Sequence, residues 1–111
     1  MTFLYLNSDQ MGHGDVELGR KLLQSFLAEL AKSNIKVDVI GCVNSGIRLT
    51  ISNGKALESL QALEKKGAQI ATCGTCLDYH DKRDDLLIGS IGTMEQTVQI
   101  MAQADKVIRP T

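Results

Sequence analysis

The chain has no tryptophan, a single proline at position 110, and no run of apolar residues long enough to span a membrane. It also has no excess of either charge: the formal net charge is -1 over 111 residues. A nucleic-acid surface normally shows as a basic excess, so no nucleic-acid partner is expected. No membrane partner is expected either. The first residues, Met1-Thr2-Phe3-Leu4-Tyr5-Leu6, carry no basic leader and enter a strand-like run directly. They do not read as a signal peptide, which points to a cytoplasmic protein. Internal repeats, linkers and low-complexity stretches are missing too. The length suits one core, so residues 1–111 are expected to form a single domain.

Strand-like and helix-like segments alternate along the chain. Phe3 to Asn7 is a short apolar run, followed by a Gly- and Asp-bearing loop from Ser8 to Gly14. Asp15 is placed to cap a helix whose apolar residues, Leu18, Leu22, Phe26 and Leu30, recur every four positions through about Ser33. Lys36 to Val43 is β-branched-rich and reads as a second strand. Asn44 to Gly46 reads as a turn, and Ile47 to Ile51 as a short strand or extended segment. Asn53 is a candidate cap for a helix bearing Leu57, Leu60 and Leu63, with Gly67 as its stop. Ala68 to Cys73 is a third strand, with a short helix starting near Cys76. Leu86 to Ile91 is a further short strand or an extended loop. Thr93-Met94-Glu95-Gln96 matches a capping box for a helix to about Gln103, and Lys106 to Ile108 is a last strand.

This alternation predicts an α/β fold: a three-layer α/β/α sandwich around a mainly parallel sheet, covered on both faces. Ligands of such sheets gather beyond the carboxyl ends of the strands. The loops Ser8–Gly14, Asn44–Gly46 and Cys73–Cys76 should therefore share one edge.

Cys73-Gly74-Thr75-Cys76 is the most chemically specific stretch. A strand delivers both thiols to the sheet edge, and a helix N-terminus there favours thiolate over thiol. Three chemistries use this spacing. Sulfur transfer needs a thiolate that takes a sulfur atom as a persulfide and hands it on. Dithiol–disulfide exchange uses the second Cys to resolve a mixed disulfide. Zinc needs four ligands, and only His13 and His80 could complete a set with the pair. Cys42 lies inside the second strand and reads as core. The metal reading is therefore weakest, and no metal or cofactor is expected. A thioredoxin-like fold is disfavoured, because the only proline closes the chain. Two packed, unreactive cysteines are the bland alternative.

Four segments carry a family resemblance: residues 3–15 (Phe-Leu-Tyr-Leu-Asn-Ser-Asp-Gln-Met-Gly-His-Gly-Asp), residues 17–22 (Glu-Leu-Gly-Arg-Lys-Leu), Cys73-Gly-Thr-Cys-Leu-Asp-Tyr79, and Ala104-Asp-Lys-Val-Ile-Arg-Pro110. On these the chain resembles the DsrE-like sulfur-relay proteins, and most closely the C-terminal domain of YedF-type proteins linked to selenium metabolism. The resemblance implies the α/β/α fold named above and a homo-oligomer, trimer or hexamer. It also implies a persulfide-bearing Cys after the third strand, at the position of Cys73, with Cys76 an additional thiol. YedF-type proteins usually carry a TusA-like domain ahead of this one. The chain starts at the first strand, so that domain is expected to be absent from it.

The candidate catalytic residues are thus Cys73 as nucleophile and Cys76 as a resolving or packing thiol. Gly12, His13 and Gly14 form a loop expected at the same edge. Asn7 and Asn44 end strands there and offer amide donors, although turn formation alone would explain them. His80 and the charged run to Asp85 read as a solvated face, and Met94 and Met101 as core or interface residues. The expected function is a small sulfur-handling protein, a persulfide carrier or sulfurtransferase-like if it is an enzyme. Its partners would be sulfur donor or acceptor proteins such as a TusA-like protein. The rivals are a non-enzymatic binding or assembly module with silent cysteines, and a dithiol–disulfide exchange protein.

Overall fold

A computed structural model describes residues 1–111. Five strands form one sheet: β1 (Thr2–Leu6), β2 (Val39–Cys42), β3 (Gln69–Cys73), β4 (Ser90–Gly92) and β5 (Lys106–Ile108). Every neighbouring pair is parallel and the order is β4-β3-β2-β1-β5. The helices are α1 (Val16–Lys32), α2 (Arg48–Ile51), α3 (Lys55–Lys65), α4 (Gly74–Tyr79) and α5 (Met94–Gln103), with 3-10 turns at Asn44–Ile47 and Arg83–Asp85. The expected α/β class with a parallel sheet is what the chain adopts.

Local signals explain most boundaries. Asp15 caps α1 by accepting from the Leu18 N–H at 2.8 Å. Thr93 and Gln96 form the reciprocal capping box of α5. Gly67 follows α3 at φ +112°, a backbone conformation that glycine adopts without strain.

The period-two alternation of the strands separates two faces. Leu4 and Leu6 of β1, Ile40 and Cys42 of β2 and Ile70 of β3 belong to the main core, with Leu23, Leu27 and Leu30 of α1 and Leu57, Leu60 and Leu63 of α3. Each such leucine or isoleucine contributes about 1.5–3 kcal/mol relative to an exposed position. On the opposite face Gln96, Thr97 and Ile100 of α5 enclose a small cavity with Phe3, Gly41, Ala71 and Cys73 of the sheet. That layer is thin, for α5 has no fully buried residue.

Three expectations are corrected. Residues 47–51 are not a strand. Arg48–Ile51 is helical because Thr50 is drawn into the interior: its hydroxyl donates to the Ile47 carbonyl at 3.0 Å and lies 2.8 Å from the Thr72 hydroxyl. The cap of α3 is Gly54, not Asn53, and no side chain caps it. The second strand starts only at Val39, because Asp38 turns its carboxylate to the Thr2 N–H at 2.7 Å.

Candidate functional site: the thiol pair at the carboxyl edge

β3 ends at Cys73 and α4 starts at Gly74, so the chain turns sharply where the first thiol stands. Gly74 keeps that turn tight: a Cβ would lie 2.9 Å from Ile91 Cγ2 and 3.0 Å from an Arg83 nitrogen, so both side chains would have to shift to admit one. The end of α4 is held by Arg83, which donates to both oxygens of Asp78 at 2.7 and 2.9 Å. Leu77, fully buried, pins the helix to the body.

All three cysteines are free. Cys42 is buried in the core, and burial pushes its thiol up to about 12, so it stays protonated and inert. Cys73 is 8% exposed, whereas Cys76 is half-buried. The two belong to one site, since the neighbouring Cys73 helps to raise the Cys76 thiol. Cys76 Sγ also accepts the backbone N–H of Asn44 at 3.2 Å. Burial pushes the Cys76 thiol above its ordinary value; the Asn44 N–H opposes this, and the neighbouring Cys73 adds to it. The expected drift toward thiolate is therefore reversed at Cys76, where loss of water outweighs the one N–H donor.

Asn44 is positioned by a tight junction. It takes φ +52°, a left-handed conformation that asparagine tolerates. Two residues on, Gly46 packs so closely on β1 that a Cβ would lie 2.2 Å from the Leu6 carbonyl oxygen. The turn therefore sits directly on the end of β1 and aims the Asn44 N–H at Cys76.

The remaining expected residues are placed less centrally. Asn7 Oδ1 accepts from the Thr111 hydroxyl and so ties the chain end to β1. Gly12, His13 and Gly14 are exposed in the loop after β1. No hydrogen bond joins that loop tip to the thiols; its base leans on the Asn44–Ile47 turn, where the Asp9 N–H donates to Ser45 Oγ at 3.4 Å. His80 stacks edge-on against Tyr79 and, with Asn44, Arg48 and Lys82, lines an open cleft of about 210 Å³ beside the pair. Nowhere do three His, Cys, Asp or Glu side chains gather closely enough to hold a metal ion. No helix is long and apolar enough to cross a membrane.

The same edge holds a group that the sequence did not single out. Asp9 is buried, with Arg20 Nε 3.0 Å and Arg48 Nη1 3.6 Å from its Oδ2. These residues lie 11 and 39 positions apart, so no local spacing announces them.

No protein-family model matches the sequence. No match is found among curated proteins. Two solved structures are similar. The E. coli ychN protein is 17% identical with a TM-score of 0.63, over 97% of each chain. MTH1491 from Methanobacterium thermoautotrophicum, a protein of unknown function, is 18% identical with a TM-score of 0.70, over 98% of this chain and 97% of that one. At such identities the likeness is one of fold alone, and the fold is the DsrE-like arrangement of helices around a parallel sheet.

Proposed function

We propose that the chain handles sulfur through the Cys73–Cys76 pair, as a persulfide carrier of the sulfurtransferase kind. The observation that carries this reading is the pairing of two free thiols at the carboxyl edge, one of them holding the Asn44 N–H at 3.2 Å. In the reaction the Cys73 sulfur attacks the outer sulfur of a donor persulfide. The new S–S bond forms on Cys73, the donor's S–S bond breaks, and the donor leaves as a thiol carrying the proton that Cys73 gave up. No net oxidation occurs. A persulfide is more acidic than its parent thiol, so an anion held at the pair has a backbone donor in place at Asn44.

Donor and acceptor would be proteins such as a separate TusA-like chain, with selenium as an alternative cargo to sulfur. A reducing cytoplasmic setting suits three free thiols. Met94, Val98 and Met101 expose apolar side chains at helical spacing along α5, and Ile91 and Val107 are exposed on the flanking strands. This supports a homo-oligomer with α5 at the contact, which the family resemblance would make a trimer or hexamer.

Incubation with a small persulfide donor, followed by intact-mass measurement, tests the reading. One added sulfur is expected on the native chain and on Cys76→Ala, and none on Cys73→Ala. No adduct on the native chain would sink the proposal. The second reading, a binding module with silent cysteines, is favoured by the burial of Cys73 and the raised Cys76 thiol. It predicts no adduct and no faster labelling of Cys73 than of a free thiol.

A further inference from the structure

The small cavity under α5 measures about 30 Å³. Cys73 is part of its wall, with Phe3, Ala71, Gly92, Gln96 and Ile100. Strand alternation explains why. Ile70 joins the main core and Thr72 bonds Thr50 on that same side, so Ala71 and Cys73 point the other way, toward α5. Cys73 and Phe3 are accordingly buried yet stand outside the main core cluster.

Three properties of the cavity bear on this thiol. It is small: about 30 Å³ is the share of one molecule in liquid water, so there is room for one atom of the size of sulfur. Its wall holds no charged side chain. The hydrocarbon of Phe3, Ala71 and Ile100 suits a soft, polarisable atom, which gains dispersion contacts on every side when seated there. No second reactive thiol stands in the wall. Cys76 does not line it, and Cys42, which does, turns its side chain to the main core beside Ile40 and stays protonated.

We propose that this cavity seats the outer atom of a persulfide on Cys73, sulfur or selenium, and so fixes the cargo at a single atom. The inference rests on the sulfur-handling reading above and adds a storage site to it. The bonds that change are those of that transfer: an S–S bond forms on Cys73, the donor's S–S bond breaks, and the donor leaves as a thiol. The donor is met at the carboxyl edge, where Cys73 keeps its 8% exposure. Rotation about the Cβ–Sγ bond then carries the outer atom, about 2.05 Å from Sγ, under α5. Nucleophiles in solution reach it slowly there. A whole donor thiol held on Cys73 as a mixed disulfide would find no room.

The test is cyanolysis of the loaded full chain carrying Cys76→Ala, so that the persulfide stands on Cys73. The chain is loaded with glutathione persulfide and the donor is removed. Cyanide then takes the outer sulfur as thiocyanate and leaves the Cys73 thiolate, and intact mass follows the loss of one sulfur. Gly92→Ala narrows the cavity: its Cβ would lie 3.1 Å from Ala71 Cβ and 3.6 Å from Gln96 Oε1, both of wall residues. Ile100→Ala opens it from the side of α5, away from the β3–β4 pairing of Cys73 with Gly92. Each is expected to lose its sulfur ~10-fold faster than the parent chain, since the first denies the outer atom its seat and the second opens the seat to solvent. Should one variant fail to melt cooperatively, the other reads the same cavity. A parent chain that loads, with loss at the parent rate in either folded variant, overturns the inference and leaves the sulfur-handling reading in place. A parent chain that takes up no sulfur removes both.

Discussion

The backbone N–H of Asn44 donates to the Sγ of Cys76 at 3.2 Å, joining the turn after β2 to α4 across 32 residues of sequence. This bond is what turns a C-x-x-C at a strand end into a built site. It fixes the second thiol against the turn after β2, while Cys73 closes the other side.

The thiol at Cys76 is held above its ordinary value of 9.0, first by burial, then by Cys73, with the Asn44 N–H opposing both. At neutral pH it is therefore protonated. Alkylation of Cys76 in a Cys73→Ala chain is expected to be slower than that of a free thiol at pH 7, and to rise only as pH passes the ordinary thiol range. Mass spectrometry of iodoacetamide-treated protein across pH checks this. Asn44→Gly keeps both the N–H and the left-handed backbone at φ +52°, and should leave the profile unchanged. Asn44→Val is strained there and should displace the donor, which moves the profile further up. A Cys76 that labels faster than free thiol at pH 7 would contradict the account.

Thr50 and Thr72 share a buried hydrogen bond of 2.8 Å, and Thr50 also donates to Ile47. The Leu87 N–H bonds the Thr50 carbonyl at 2.9 Å, so this one residue links α2, β3 and the approach to β4. Thr50→Val is expected to cost about 1–3 kcal/mol in urea unfolding, because it strands the Ile47 carbonyl and leaves the buried Thr72 hydroxyl without its acceptor. Thr72→Val should cost less, since Thr50 keeps its bond to Ile47. The double variant is expected to lose less than the sum of the single losses. Additive losses would mean that the two hydroxyls are not coupled.

Those same residues show where the sequence is legible and where it is not. Capping chemistry is local, so Asp15, Thr93 and Gln96 announce their helices within four residues. The strand-to-helix junction at Cys73–Gly74 is equally local, and with the alternation of elements it places the pair at the carboxyl edge. Residues 48–51 are different: Leu49, Thr50 and Ile51 favour a strand by composition, and helix wins through the Thr50–Thr72 bond, made 22 residues away. The preference of Cys76 for the protonated form is likewise invisible in the motif, for it depends on how much water the turn at Asn44 excludes. Asp9, Arg20 and Arg48 meet only once α1 and α2 are packed at one edge, so neither their spacing nor their types point to a cluster.

Arg83 grips Asp78 with two hydrogen bonds, and that grip holds the Asp78 carboxyl below its ordinary value of 3.8. A group whose folded value is depressed stabilises the fold above the unfolded value, and that contribution is lost as pH falls through the folded one. The melting temperature of the native chain should therefore exceed that of Asp78→Asn at neutral pH, and the gap should close as pH drops below 3.8. Because the pair lies in solvent, the gap should also narrow in high salt. Asp78 lies in the last turn of the helix that carries Cys76 and Arg83 lies just beyond it, so local loosening should register at that thiol before it registers globally. Cys76 in Asp78→Asn is accordingly expected to label faster at neutral pH than in the native chain. A melting gap that persists at acid pH, or labelling that does not change, would show that the ion pair does not hold α4 in place.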